Sequence, residues 1–202
     1  MKLKFSPLTK FLLWSVAGIA GALLLNDRWN EMEVEHVGTV IDVTNGKPLE
    51  GAFVLAEYRE AAGTLFGHSS SWCVSTRGMY TGPDGKFSFP GRRAAGPPIS
   101  AIKPEYFETL AWHYAQNGLP PRQESPSDRY LQPQDPGNPQ FPSIPYCERP
   151  RSSQDAAANV VFLKIVLAER LRYGDSNARV SNLLEIIKDL ESTRPRDWNS
   201  NR

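Results

Sequence analysis

The sequence predicts a mainly β protein: a sandwich of about seven strands, with an apolar helix ahead of it and helices after it. Three observations predict this. Runs of β-branched and aromatic residues alternate in polarity between residues 37 and 103. Glycine-containing turns separate those runs. The chain holds 17 prolines and 15 glycines in 202 residues, many for a helical protein and suited to turn-rich β structure.

A chain of 202 residues has room for one domain of ordinary size and an appendage. Its 40% apolar and 22% charged residues are those of a globular protein. Lys and Arg total 23 against 22 for Asp and Glu, a net charge of +1 that argues against a nucleic-acid binder. Two cysteines are too few for a disulfide-scaffold miniprotein or a four-cysteine zinc site.

The first thirty residues read as an address. Lys2, Lys4 and Lys10 precede an uncharged run from Phe11 to Leu25. Counted from Leu8, a helix of that length reaches about 27 Å, enough to cross the hydrocarbon layer. A cationic start and an apolar core also make a signal peptide. Ala20-Gly21-Ala22 fits a small-x-small cleavage site, but cutting there leaves Leu23-Leu24-Leu25 at the new N-terminus. An uncleaved signal anchor is therefore the favoured reading, and the membrane is a partner through residues 8–25. No cysteine follows the run, which disfavours a lipid-attached lipoprotein. Lysines before the span, with Asp27, Glu31, Glu33 and Glu35 soon after it, place the N-terminus in the cytoplasm and the body outside it. The expected location is the bacterial periplasm or cell surface, or the medium if the signal is cleaved. A buried helix of a soluble protein is the other reading, disfavoured because the run is apolar on all faces.

The strands follow in order. Val37, Thr39, Ile41 and Val43 alternate with Gly38, Val40 and Asp42, and Asn45-Gly46 follows as a tight turn. Ala52 to Tyr58 is a second strand, with Phe53 and Leu55 on one face and Ala52, Val54 and Tyr58 on the other. Trp72 to Tyr80 is a third. In Gly82-Pro83-Asp84-Gly85, Pro83 presets φ and Gly85 can turn left-handed. Lys86-Phe87-Ser88-Phe89 is then expected to return as the hairpin partner of the third strand. Ile99 to Lys103 is a fifth candidate, and Tyr106 to Gln116 a short helix or irregular strand.

These residues carry a resemblance. Gly38-Thr39-Val40-Ile41-Asp42, followed by Gly46-Lys47-Pro48-Leu49-Glu50-Gly51-Ala52-Phe53-Val54, resembles the opening of carboxypeptidase regulatory-like domains. Tyr80-Thr81-Gly82-Pro83-Asp84-Gly85-Lys86-Phe87-Ser88-Phe89 is similar to their second signature, and Ile99 to Tyr106 to the next strand. The resemblance covers roughly residues 36–108, with a strand near 160–165. It implies a transthyretin-like or immunoglobulin-like sandwich. That superfold hosts many roles, so no activity is inherited from it. The implied division is 1–30 signal segment, 36–166 sandwich and 167–202 helical appendage and tail.

Residues 117–150 hold nine of the 17 prolines and almost no periodic apolar pattern. They read as an insertion, an extended strap across the domain surface. Cys73 lies in the third strand and Cys147 near the end of this strap. In an oxidising compartment a bond between them is expected, closing a loop of about 75 residues.

Asn159 to Ile165 is a β-branched apolar run, read as the closing strand of the sandwich. The competing reading is a helix from Ser152, because Ser152-x-x-Asp155 resembles a capping box and Ala156 to Ala158 favour helix. Ala168 to Tyr173 is helical in composition, and Gly174 can end it. Asp175 or Ser176 caps a last helix whose stripe is Val180, Leu183, Leu184, Ile187 and Leu190, expected to pack on the sandwich flank.

No catalytic, metal or cofactor site is legible. Ser69-Ser70-Ser71 is outside any Gly-x-Ser-x-Gly elbow, and no histidine begins a His-x-x-Glu pair. No glycine-rich phosphate loop is present. The first strand lacks the lysine of isopeptide-forming pilin sandwiches, and the end, Asn199-Ser200-Asn201-Arg202, departs from the Tyr-Arg-Gly-Ser tail of transthyretin-like hydrolases. Trp112, Tyr114 and Tyr130 are offered as an interaction surface. The expected function is non-enzymatic: a membrane-anchored, exported module with a structural or protein-interaction role in the cell envelope. The alternatives are a carbohydrate-binding module, or a hydrolase with a site near His68, Ser69–Ser71 and His113.

Overall fold

The computed structural model describes residues 33–63, 69–92, 96–109, 125, 127–142, 144–147 and 150–192. The apolar segment at 8–25, and Trp112, Tyr114, His68 and His113, lie outside these residues. By its contacts the chain forms two compact units, Met1–Glu35 with Pro90–Gly96 and His36–Phe89 with Pro97–Arg202. The second carries the architecture below; of the first, the described residues are 33–35, 90–92 and 96.

Seven strands and two helices are described: β1 (Glu33–Asp42), β2 (Phe53–Gly63), β3 (Ser69–Tyr80), β4 (Lys86–Arg92), β5 (Ile99–Ile102), β6 (Tyr106–Thr109), β7 (Arg129–Pro133), α1 (Ser153–Arg172) and α2 (Asn177–Ser192). They form a four-stranded sheet of order β4-β1-β7-β6 and a three-stranded sheet of order β3-β2-β5. β1 and β7 run parallel, with Ile41 opposite Tyr130, and β2 is antiparallel to both β3 and β5.

The alternation in β2 explains the layers. Val54 and Ala56 join Val40, Phe87, Phe89, Ala101 and Leu131 in one buried cluster. Phe53 and Leu55 face the other way and join Phe162, Leu163 and Val166 of α1. β2 is therefore buried on both faces, which is why Ala52 to Ala56 is apolar without interruption. Leu183, Ile187 and Leu190 of α2 complete the second cluster. The stripe foreseen for the last helix thus packs chiefly on α1, rather than on the sandwich flank, and Leu184 stays half exposed.

Several sequence expectations need correction. Residues 160–165 are not a closing strand but the middle of α1, which runs on through Ala168 to Arg172 and across the expected boundary at 166/167. Ser152 caps it: its Oγ accepts the Asp155 N–H at 3.2 Å and bonds the Asp155 carboxylate at 2.7 Å. Burial recurs at Ala156, Asn159, Val160, Phe162, Leu163 and Val166, a helical period, while Val161 and Lys164 face out. Packing of that face outweighs the β preference of two valines.

β7 stands between β1 and β6 inside the four-stranded sheet, in the proline-rich stretch where the sequence predicts no strand. Pro133 ends it, so no ladder donor is lost within it. β4 is not the hairpin partner of β3. Thr81 and Gly51 extend the β2–β3 ladder (Thr81 N to Ala52 O, Gly51 N to Thr81 O, both 2.9 Å). Four residues later the Gly85 carbonyl accepts the Val40 N–H of the opposite sheet at 2.9 Å. The turn at 82–85 is therefore a crossing between layers. Gly85 has φ +66°, and a Cβ there would stand 2.8 Å from the Val40 carbonyl oxygen. Phe87 and Phe89 point inward as expected.

Candidate functional site

Two polar assemblies stand out among the described residues. The first joins the strap to the sandwich. Cys73 on β3 and Cys147 are disulfide-bonded, with Cα atoms 4.8 Å apart and both residues fully buried. β3 is irregular here: the β2–β3 register shifts between Tyr58 and Arg59, so that Ser75 and Cys73 take adjacent partners. The Val74 carbonyl at this irregularity accepts the Arg151 N–H at 3.2 Å, and the Arg151 guanidinium pairs with Glu60. Beside it, the Thr76 hydroxyl donates to the Asp155 carbonyl (2.8 Å) and accepts the Asn159 N–H (3.2 Å). One side chain of β3 thus bridges two groups of the first turns of α1.

The second assembly lies where β5 and β6 follow one another from sheet to sheet. Glu108 Oε2 accepts the Ala101 N–H at 3.3 Å, and Arg129 Nε stands 3.5 Å from Glu108 Oε1. Burial pushes Glu108 up to about 7; the Ala101 N–H and Arg129 pull it back without outweighing that effect. Tyr106 is held above its ordinary value by burial, then by Asp42, whose carboxylate its hydroxyl approaches at 3.4 Å. Asp42 is itself occupied by Thr44 and Asn45. A carboxyl that titrates near neutrality is a usual mark of acid–base catalysis. Here both Glu108 oxygens are spent on internal partners, which makes the group a part of the framework.

The β5–β6 turn is tied to the helices. Glu105 has φ +69°, and its N–H donates to the buried Glu169 carboxylate of α1 at 2.9 Å. Arg172 pairs with both glutamates. Next to them, Arg170 pairs with Asp175 and lies under the Phe141 ring, 4.8 Å from its centroid.

Of the aromatic residues offered as an interaction surface, Tyr130 is 3% exposed on β7 and belongs to the interior. Among the described residues the exposed tyrosines are Tyr80 on β3 and, in the strap, Tyr146. Tyr146 borders an open depression of about 470 Å³ with Asn182, Glu185, Ile186 and Asp189 of α2, and its hydroxyl lies 3.4 Å from Asp189. Among the described residues no group of His, Cys, Asp and Glu is arranged to hold a metal ion, and no helix is long and apolar enough to cross a membrane. No protein-family model, curated protein or solved structure matches the chain.

Proposed function

We propose that the chain is an exported β-sandwich module, held at a membrane by residues 8–25, with a structural or protein-interaction role in the cell envelope. The Cys73–Cys147 bond carries the reading. It ties a long proline-rich strap to the sandwich, and such bonds persist in oxidising compartments. The cationic start and the apolar run after it agree with that location.

The test is membrane fractionation with protease accessibility, combined with thiol alkylation under denaturing conditions. The module should sediment with membranes, be cut only by protease added outside the cytoplasm, and carry no alkylatable thiol before reduction. Free thiols on a protease-shielded body would overturn the reading. Partners are then sought by cross-linking in intact cells, because deleting 117–150 would remove β7 and Cys147.

Tyr146 favours a second reading. An exposed aromatic ring flanked by an amide and carboxylates suits a sugar ring. Binding on a glycan array that Tyr146→Ala abolishes would support carbohydrate recognition; no retained glycan would reject it.

A further inference from the structure

β5 is an edge strand of the three-stranded sheet, and β6 an edge strand of the four-stranded one. An edge strand presents unpaired backbone groups. On β5 two of these groups are met by side chains of the opposite sheet. The Ile99 carbonyl accepts from Arg129 Nε at 2.8 Å, and the Ala101 N–H donates to Glu108 at 3.3 Å. The two side chains stand in for the missing neighbouring strand.

Arg129 is fixed independently of Glu108. Its Nη1 donates to the carbonyls of Ser127 (3.2 Å) and Asp128 (2.9 Å). Among the described residues Glu108 meets the Ala101 N–H and, at longer range, Arg129. Its side chain is 26% exposed, so a route to water is open.

We propose that Glu108 and Arg129 form a proton-operated latch over this edge: neutral Glu108 stays seated on Ala101 and closes it, and ionised Glu108 withdraws toward solvent and loosens it. Burial supports this, because it places the titration of Glu108 near neutrality instead of at the ordinary 4.5. Among the described residues the surrounding charges are few. β7 contributes Arg129 to the latch and β5 carries no ionisable side chain. On β6 itself Tyr106 is two residues away, with Asp42 of β1 and Lys103 against it. An exported module exposed to the pH of its surroundings would thereby change the order of one sandwich edge without a ligand.

The experiment is NMR titration of the full chain in detergent micelles from pH 5 to 8.5, following the Glu108 carboxyl carbon and the Ala101 amide. Both should move with one midpoint near 7. Hydrogen-exchange protection at Ala101 should fall by about tenfold across that midpoint, while Val54 on β2 stays protected. In Glu108→Gln, a neutral isostere, the Ala101 amide should hold its low-pH position throughout. A Glu108 midpoint near 4.5 in the wild type overturns the latch, even if the variant misfolds. So does an Ala101 response that Glu108→Gln leaves unchanged.

Discussion

Asn159 of α1 holds the strap at Cys147: its Oδ1 accepts the Cys147 N–H at 3.1 Å, and its Nδ2 donates to the Pro145 carbonyl at 2.7 Å. The residue is fully buried. A leucine of similar size would leave a buried donor and a part-buried acceptor without partners. Asn159→Leu should therefore destabilise the protein by about 2–4 kcal/mol, measured by urea unfolding. Lys164→Ala, which removes an exposed pair with Glu191, should cost less than about 0.5 kcal/mol. Equal effects of the two would show that the strap does not depend on Asn159.

The disulfide constrains a separation of 74 residues. On the chain-entropy model that is worth about 4.5 kcal/mol. A Cys73→Ala, Cys147→Ala double variant should lose an amount of that order in denaturant titration. Because both sulfurs are buried, a mild reductant should open the bond only under conditions that unfold the chain. Reduction in the native state, without loss of structure, would contradict this.

Much of the sandwich was legible because its signals are local. The alternation in β2 and the inward pair Phe87 and Phe89 follow from period-two patterning and burial. With two cysteines in the chain, only one internal pairing is available to them. What was not legible depends on long-range partners. Nothing near Gly85 says whether the chain turns back on β3 or crosses to β1, because the Val40 N–H that decides it is 45 residues away. β7 hides among prolines because its pairing with β1 and β6, not its composition, makes it a strand. The helix at 153–172 was announced by Ser152 and Asp155, but valines at 160 and 161 read as strand until the period of burial is seen. Glu108 and Arg129 are 21 residues apart with no local signal that joins them, and only the meeting of the two sheets makes them partners.

Glu105 holds φ +69° with a side chain, a conformation that costs an L-residue roughly 1 kcal/mol and glycine little. Replacing it by Gly or by Ala removes the same pairing with Arg172. Their difference therefore isolates the backbone. Glu105→Gly should be more stable than Glu105→Ala by about 1 kcal/mol in thermal or urea unfolding. An alanine variant as stable as the glycine one would mean that the turn relaxes out of the left-handed region.

Gly46 and Gly85 both have positive φ, yet they should respond differently. A Cβ at Gly46 meets nothing within 4 Å, whereas at Gly85 it meets Leu49 N at 2.9 Å as well as the Val40 carbonyl oxygen. Gly46→Ala should cost about 1 kcal/mol, from conformation alone. Gly85→Ala must also push apart the backbones where β4 enters the four-stranded sheet. It should cost at least about 3 kcal/mol or prevent folding. Similar losses at both sites would remove the crossing at 82–85 as a tight point of the fold.

Burial raises Glu108 to about 7 in the folded chain, against an ordinary value of 4.5. The folded state therefore holds this proton more tightly than the unfolded state does. Between those two values the unfolded chain binds fewer protons, so stability falls as pH rises, and the slope vanishes above the folded value. The contribution is fully present below about pH 4.5 and gone somewhat above 7, at most about 3 kcal/mol for a partly exposed side chain. Glu108→Gln cannot lose it. Unfolding free energies of wild type and variant should diverge from pH 5 to 8, the wild type falling relative to the variant. All other ionisable groups are common to both chains, so the difference between the curves reports Glu108. Parallel curves would mean that the carboxyl is hydrated in the folded protein. A wild type that gains on the variant with rising pH would mean that the pairing with Arg129 outweighs burial.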